Sequence, residues 1–227
     1  MSYSYIQLVN EVLIRLRERE VTSVNDTAYS KLIGKFVNDA KRQAEDAYNW
    51  NALSTTLTAD TIPGIFNYVL EGSGQRFRVM DIINDTNDNT LQNQTADQFN
   101  KWFLMSTAQH GQPMYYNFNG TNSAGDTQVD VYPIPDQVYN LRFNIIRPQP
   151  PLEVNSDILL IPHEPVIFGA VARGMAERGE DGGMDSNAMY ALYQQSLGDA
   201  IALELSIDLM LQAETDVEVL LFDLPPV

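Results

Sequence analysis

Residues 32–59, LIGKFVNDAKRQAEDAYNWNALSTTLTA, contain the change of pattern that decides the fold. Up to Tyr48, apolar residues recur every three or four positions, which is the period of an amphipathic helix. From Leu53 to Ala59, apolar and polar residues alternate, and the threonines favour a strand. We expect the residues around this change to form the core of a domain junction: Tyr48, Trp50, Leu53 and Leu57.

Two helices are predicted before the junction. Ser4 and Gln7 form a capping-box pattern, and apolar residues at helical spacing follow as far as Leu16. This helix is predicted to end near Glu18, and a second one is predicted over residues 26–49. The charged positions of the second helix mix basic and acidic residues, which is typical of a solvated face.

Residues 51–150 are predicted to form an inserted β domain. Short runs with strand character alternate with turns rich in Gly, Asn and Pro. Strands are predicted at residues 53–59, 66–71, 76–83, 90–93, 114–118, 128–132 and 138–146. One short helix is predicted after Thr95, which has the character of a helix cap. Many short strands favour an antiparallel sandwich or a barrel-like domain.

The rest of the chain is predicted to return to helices. The prolines of Arg147–Pro151 favour a stiff extended segment. Helices are predicted from Pro162 to the glycines at 179–183, and from Asp185 or Ser186 to Gln212. We therefore expect an α+β fold in which residues 1–50 and 151–212 form an antiparallel helical bundle that carries the β domain.

Residues 213–227 are expected to form an extended C-terminal tail, because apolar and polar residues alternate there before two prolines. Such a segment either docks on another chain, for example by strand addition, or frays. The expected docking residues are Val217, Val219, Leu221, Phe222 and Leu224.

Composition narrows the classes of function. The chain has no cysteine, which excludes disulfides and thiolate metal sites. The net charge is −16, and residues 177–227 contain eleven carboxylates and one arginine, so nucleic acid would be repelled there. No apolar run is long enough for a membrane helix, and no secretion signal is recognisable, so we expect a protein made in the cytosol.

The motifs specify neither an enzyme nor a cofactor. His110 and His163 lack the spacing of metal ligands, and the loop Asp85–Asn89 is not followed by the glycine and glutamate of a calcium loop. No nucleophile elbow and no phosphate-binding glycine loop occurs. We expect no catalytic, cofactor-binding or metal-binding residue, although 30 acidic residues leave a carboxylate pair for glycan cleavage open.

The order of parts resembles the head-to-tail adaptors, or tail tubular protein A-like connectors, of short-tailed phages. The resemblance rests on Leu8–Leu13 at the start of the first helix, on Tyr48–Asn51 leading into a strand, and on the closing helical pair around the β insertion. It implies a structural virion protein that forms a homo-oligomeric ring, typically of twelve copies, between the portal protein and the tail nozzle protein.

The same resemblance implies how such a ring works. DNA passes through it without specific binding, and the acidic C-terminal half suits such a channel. The protein is expected in the virion neck or tail, and in the host cytoplasm during assembly, with no membrane contact. Tail fibres are a further expected neighbour. Chain ends in the family often reach the neighbouring ring, which suits residues 217–224.

Two other functions stay open from the sequence. A glycan-binding or cell-wall-degrading phage tail protein would use Tyr115, Tyr116 and Phe118 as an aromatic platform. A cytosolic regulator would bind another protein through the C-terminal tail.

Overall fold

The computed structural model describes residues 2–72, 74, 76–104, 107–179 and 184–222, with the backbone alone for residues 184 and 207–222. The chain divides into a helical unit, Met1–Ala52 with Gln149–Val227, and a β unit, Leu53–Pro148. In chain order the described helices are α1 (Tyr5–Arg15), α2 (Ala28–Ala47), α3 (Ala96–Phe103), α4 (His163–Arg178) and α5 (Met184–Phe222). The described strands are β1 (Ser54–Asp60), β2 (Asn67–Val69), β3 (Arg78–Asn84), β4 (Asn89–Thr90), β5 (Gln92–Asn93), β6 (Tyr115–Thr121), β7 (Thr127–Tyr132) and β8 (Asn140–Ile146). The α+β class is therefore confirmed.

The helical unit is built from the amphipathic stripes that the sequence predicts. α1, α2 and α4 contact one another, and α5 contacts α4. Their apolar faces are buried together, with Leu8, Val9, Val12, Ile33, Val37, Val166, Ala170 and Val171 in the core. The Thr27 side chain caps α2, since its Oγ1 accepts a hydrogen bond from the Ser30 N–H at 2.9 Å.

The β unit contains two four-stranded sheets. Their strand orders are β1-β8-β3-β4 and β2-β7-β6-β5. In the first sheet Phe143 of β8 lies between Leu57 of β1 and Ile82 of β3. Both sheets contribute to one apolar cluster, formed by Leu70, Ile82, Leu91, Val129, Val131, Tyr139, Leu141, Phe143 and Ile145.

The expectation of purely antiparallel pairing is wrong for one pair of strands. β5 pairs parallel with β6, as Gln92 with Tyr115 and Asn93 with Tyr116. The connection between these strands contains α3, and a helical crossover of this kind returns the chain in the same direction. The second sheet is consequently mixed.

The expectation of an extended tail from residue 213 is wrong as far as residue 222. α5 continues unbroken to Phe222. Ala, Leu, Gln and Glu favour a helix, and neither Gly nor Pro occurs between Asp199 and Phe222. Alternation within a helix means only that apolar residues lie on several of its sides. Residues 223–227, and with them Leu224, lie outside the described residues.

Candidate assembly surfaces

A buried ion pair on α2 holds the chain where it re-enters the helical unit. Lys41 and Glu45 are only 2% and 3% exposed, and Lys41 Nζ lies 2.9 Å from Glu45 Oε1. Lys41 Nζ also donates to the carbonyl oxygens of Gln149 at 2.6 Å and Pro150 at 3.1 Å. Glu45 Oε1 accepts the Gln149 N–H at 3.2 Å. For these two residues the prediction of a solvated face is wrong.

Asn38 extends this contact by one turn of α2. Its side chain accepts the Leu152 N–H at 2.8 Å and donates to the Leu152 carbonyl at 3.0 Å. Asn38, Lys41 and Glu45 follow at spacings of three and four, which places them on one helix face. That face also carries the buried Val37. This spacing is the signal by which the sequence could have revealed a polar contact beside an apolar face.

Arg178, the last residue of α4, connects three segments of the helical unit. Its guanidinium donates to Tyr29 Oη at 2.7 Å, to the Leu16 carbonyl at 2.9 Å and to Glu18 Oε1 at 2.6 Å. The same group stacks over the Tyr29 ring, 4.9 Å from its centroid. Burial raises the pKa of Tyr29, which therefore stays neutral beside the arginine.

The four predicted junction residues divide between the units. Tyr48 and Trp50 belong to the helical unit, where their rings meet edge-on with centroids 5.5 Å apart. Trp50 is buried, and its Nε1–H donates to the Ala44 carbonyl at 2.8 Å. Leu53 is buried in the β unit, and Leu57 packs against the apolar cluster of that unit.

Some apolar residues of α5 are buried in the helical unit, and others are exposed. Tyr193 and Leu197 are buried, whereas Leu192 and Leu203 are exposed. The helix contains seven carboxylates and no Lys, Arg or His. The predicted docking residues Val217, Val219, Leu221 and Phe222 lie in its last two turns, and their side chains are outside the described residues.

A cavity of about 410 Å³ lies in the helical unit. Its described lining is Gln43, Gly169, Ala172, Arg173, Ala176, Ser186, Asn187 and Tyr190. Arg173 donates to the Gly169 carbonyl at 2.7 Å and to Gln43 Oε1 at 2.6 Å. None of the described lining residues is a histidine, cysteine or carboxylate, so they offer no general base for a nucleophile.

The residues that the structure describes contain no group of three or more His, Asp or Glu side chains placed to hold a metal ion. Within the same residues, no helix has the combination of length and apolarity that crossing a membrane requires.

The aromatic residues of β6 do not form a single platform. Tyr116 and Phe118 pack against the apolar cluster of the β unit, with ring centroids 5.5 Å apart. Tyr115 instead contacts Trp102 of α3, with centroids 5.0 Å apart. Neighbouring residues of a strand point to opposite faces, which separates Tyr115 from the other two. The predicted glycan platform is therefore divided between two faces.

The profile of the SU10 adaptor protein family matches residues 3–216. The matched range begins in the segment before α1, includes the whole β unit, and ends within α5. No curated protein matches the chain.

Proposed function

Because the chain belongs to the SU10 adaptor protein family, a family of phage adaptor proteins, we propose that it is a structural head-to-tail adaptor of a phage virion. The extent of the family match, residues 3–216, is the observation that carries this proposal. The protein acts without catalysis, in a homo-oligomeric ring between the portal protein and the tail nozzle protein. The short-tailed phage connectors that it resembles suggest twelve copies.

The exposed apolar residues of α5 support ring formation. Leu192 and Leu203 are exposed in a single copy, and a helix with apolar residues on several sides is normally covered on all of them. A contact between two different surfaces of identical chains closes into a ring when the rotation between copies allows it. Neighbouring copies would thus bury surface that one copy leaves exposed.

The charge of α5 supports the proposal of an acidic channel. Seven carboxylates without any cation repel the phosphates of DNA, so DNA would pass without binding. This arrangement suits ejection, in which DNA has to move rather than be held.

The end of α5 is the proposed docking segment toward the neighbouring ring. Val217, Val219, Leu221 and Phe222 are helical, so we now expect a helix in a groove rather than strand addition. Leu224 would extend the same contact. The proposed domain-junction core consists of Tyr48, Trp50, Leu53 and Leu57.

Co-expression with the portal protein of the same phage tests this function. We expect negative-stain images of portal particles that carry an additional ring, and mass spectrometry of purified virions should detect the protein. A variant that ends at Gln212 should form the helical unit but lose binding to the neighbouring ring. Absence of the protein from virions, together with no association with the portal protein, would overturn the proposal.

Two assays with purified cell wall distinguish the glycan-binding or glycan-cleaving alternative from the adaptor function. A cell-wall-degrading protein would release reducing sugars from purified cell wall, and a glycan-binding protein would sediment with it. We expect neither result, because the aromatic residues proposed as the platform lie on two faces of β6.

A further inference from the structure

α5 has a second face that the helical unit leaves exposed. Leu192, Asp199 and Leu203 follow at spacings of seven and four, which places them on one side of the helix. Leu192 is 43% and Leu203 is 64% exposed, and Asp199 is exposed between them. At a rise of 1.5 Å per residue, α4 spans about 24 Å and α5 about 58 Å, so α4 covers less than half of α5.

A second α5 helix is a poor partner for this face. The seven carboxylates of α5 have no cation among them, so two such helices side by side would bring like charges together. The partner of this face should combine apolar side chains with cations.

α2 carries a surface of that kind in its first half. Lys31 and Lys35 are exposed one turn apart, and neither has an ion-pair partner among the residues that the structure describes. Leu32 and Phe36 lie beside them and are half-buried. Two lysines at this spacing repel each other, so a carboxylate from outside would relieve the repulsion.

We propose that the Leu192–Asp199–Leu203 face of α5 in one copy packs on the Lys31–Phe36 face of α2 in a second copy of this chain. Asp199 then pairs with the two lysines, and Leu203 covers Leu32 and Phe36. Two different surfaces meet in this contact, so it propagates from copy to copy and suits a ring. The inference rests on the proposed function, in which the chain forms a homo-oligomer.

Charge reversal tests the pairing. The variants are Lys31→Glu/Lys35→Glu, Asp199→Lys, and the combination of all three, each assembled with the portal protein and measured by native mass spectrometry over a protein concentration series. We expect each partial variant to need at least about tenfold more protein for half assembly, because like charges then face each other. The combined variant should recover to within about threefold of the unchanged protein.

Lys101→Glu is the control. Lys101 is an exposed lysine of α3 in the β unit, paired with Asp97, and its reversal should leave assembly unchanged. Circular dichroism of every variant separates loss of assembly from loss of folding.

The possible outcomes separate this inference from the proposed function. If the unchanged protein forms no ring with the portal protein, the function itself fails. If rings form but the reversals leave half assembly unchanged, or the combined variant recovers nothing, the α5–α2 contact is wrong. If the reversals weaken binding to the portal protein while lateral association stays intact, the α5 face binds the portal and the inference is overturned.

Discussion

The two units of this chain differ in the interactions that stabilise each of them internally. The β unit has an apolar cluster at its centre, to which both sheets contribute. The helical unit also buries apolar stripes, but its distant segments are connected by polar contacts, of which those of the Lys41–Glu45 pair are buried. Lys41 reaches Gln149 and Pro150, Asn38 reaches Leu152, and Arg178 reaches back to Leu16.

The difference follows from the number of chain segments that form each unit. The β unit is one continuous stretch, Leu53–Pro148, and strand pairing fixes its register. The helical unit is assembled from two stretches, Met1–Ala52 and Gln149–Val227. Apolar packing has little directional preference, whereas hydrogen bonds to particular carbonyl groups define where the second stretch must lie. We therefore expect the helical unit to be unusually sensitive to loss of single polar groups.

The largest expected effect is Phe143→Ala in the β unit. Phe143 is fully buried between Leu57 and Ile82, so its removal leaves a cavity and should cost about 4 kcal/mol of unfolding free energy. Hydrogen exchange of the β8 amides measures the loss where it occurs. A cost below about 1 kcal/mol would mean that the apolar cluster is not the main support of this unit.

Lys41→Met should cost nearly as much in the helical unit, about 3 kcal/mol. The substitution leaves the Glu45 carboxylate buried without its cation and removes the donor to two carbonyl groups. Urea unfolding in a Trp102→Phe background reports this loss, because Trp50 is then the remaining tryptophan and lies in the helical unit.

The double variant Lys41→Met/Glu45→Met sharpens the second prediction. It removes the unpaired charge, so it should be more stable than Lys41→Met alone, although the backbone groups of Gln149 and Pro150 still lack their partners. If the double variant were less stable than the single variant, unpaired charge would not be the source of the cost.

Gly34→Ala tests how closely α1 and α2 must approach, with an expected cost of about 2 kcal/mol. A methyl group at Gly34 would collide with the Tyr5 hydroxyl and would lie 2.8 Å from Val24 Cγ1. Gly198→Ala in α5 is the matched control, because among the described residues no atom outside the adjacent helix backbone and the two chain neighbours lies within 4 Å of the added methyl carbon. That change should stabilise the helix by up to about 1 kcal/mol. Equal effects of the two substitutions would contradict the close packing at Gly34.

The sequence predicted the regular elements best where a clear apolar pattern continues over many residues. The helices at α1, α2 and α4 and the strand β8 are confirmed, since each repeats its apolar pattern over many residues. The sequence does not predict the parallel pairing of β5 with β6, because the side-chain pattern of a two-residue strand does not indicate in which direction its partner runs. The alternation of residues 213–222 predicts an extended segment, but the same helix-forming residues continue beyond Gln212 and the segment is helical.

The candidate surfaces were predicted less completely. The family resemblance is confirmed at the level of a phage adaptor family, whereas the docking role of Val217 to Leu224 remains a prediction. The polar contacts of Lys41 and Arg178 were missed, because each joins residues more than a hundred positions apart. The composition of a single helix cannot reveal such partners; only the spacing of Asn38, Lys41 and Glu45 hinted at a common face.

The smallest expected effect is a pH dependence in the helical unit from His163. Its ring stacks on Tyr3 with centroids 4.1 Å apart, and burial lowers its pKa below 6.5. Glu164 and Glu11 oppose this shift, and Arg15 adds to it.

The folded chain therefore binds the proton on His163 less readily than the unfolded chain, so stability should fall as pH decreases through 6.5 and level off below the folded pKa. His163→Phe keeps the stacked ring and removes the titrating group, so its urea midpoint should fall less between pH 7.5 and pH 5.5. Trp50 fluorescence in the Trp102→Phe background follows the unfolding. Equal losses in both proteins would assign the pH dependence to other groups and leave the Tyr3–His163 contact as packing alone.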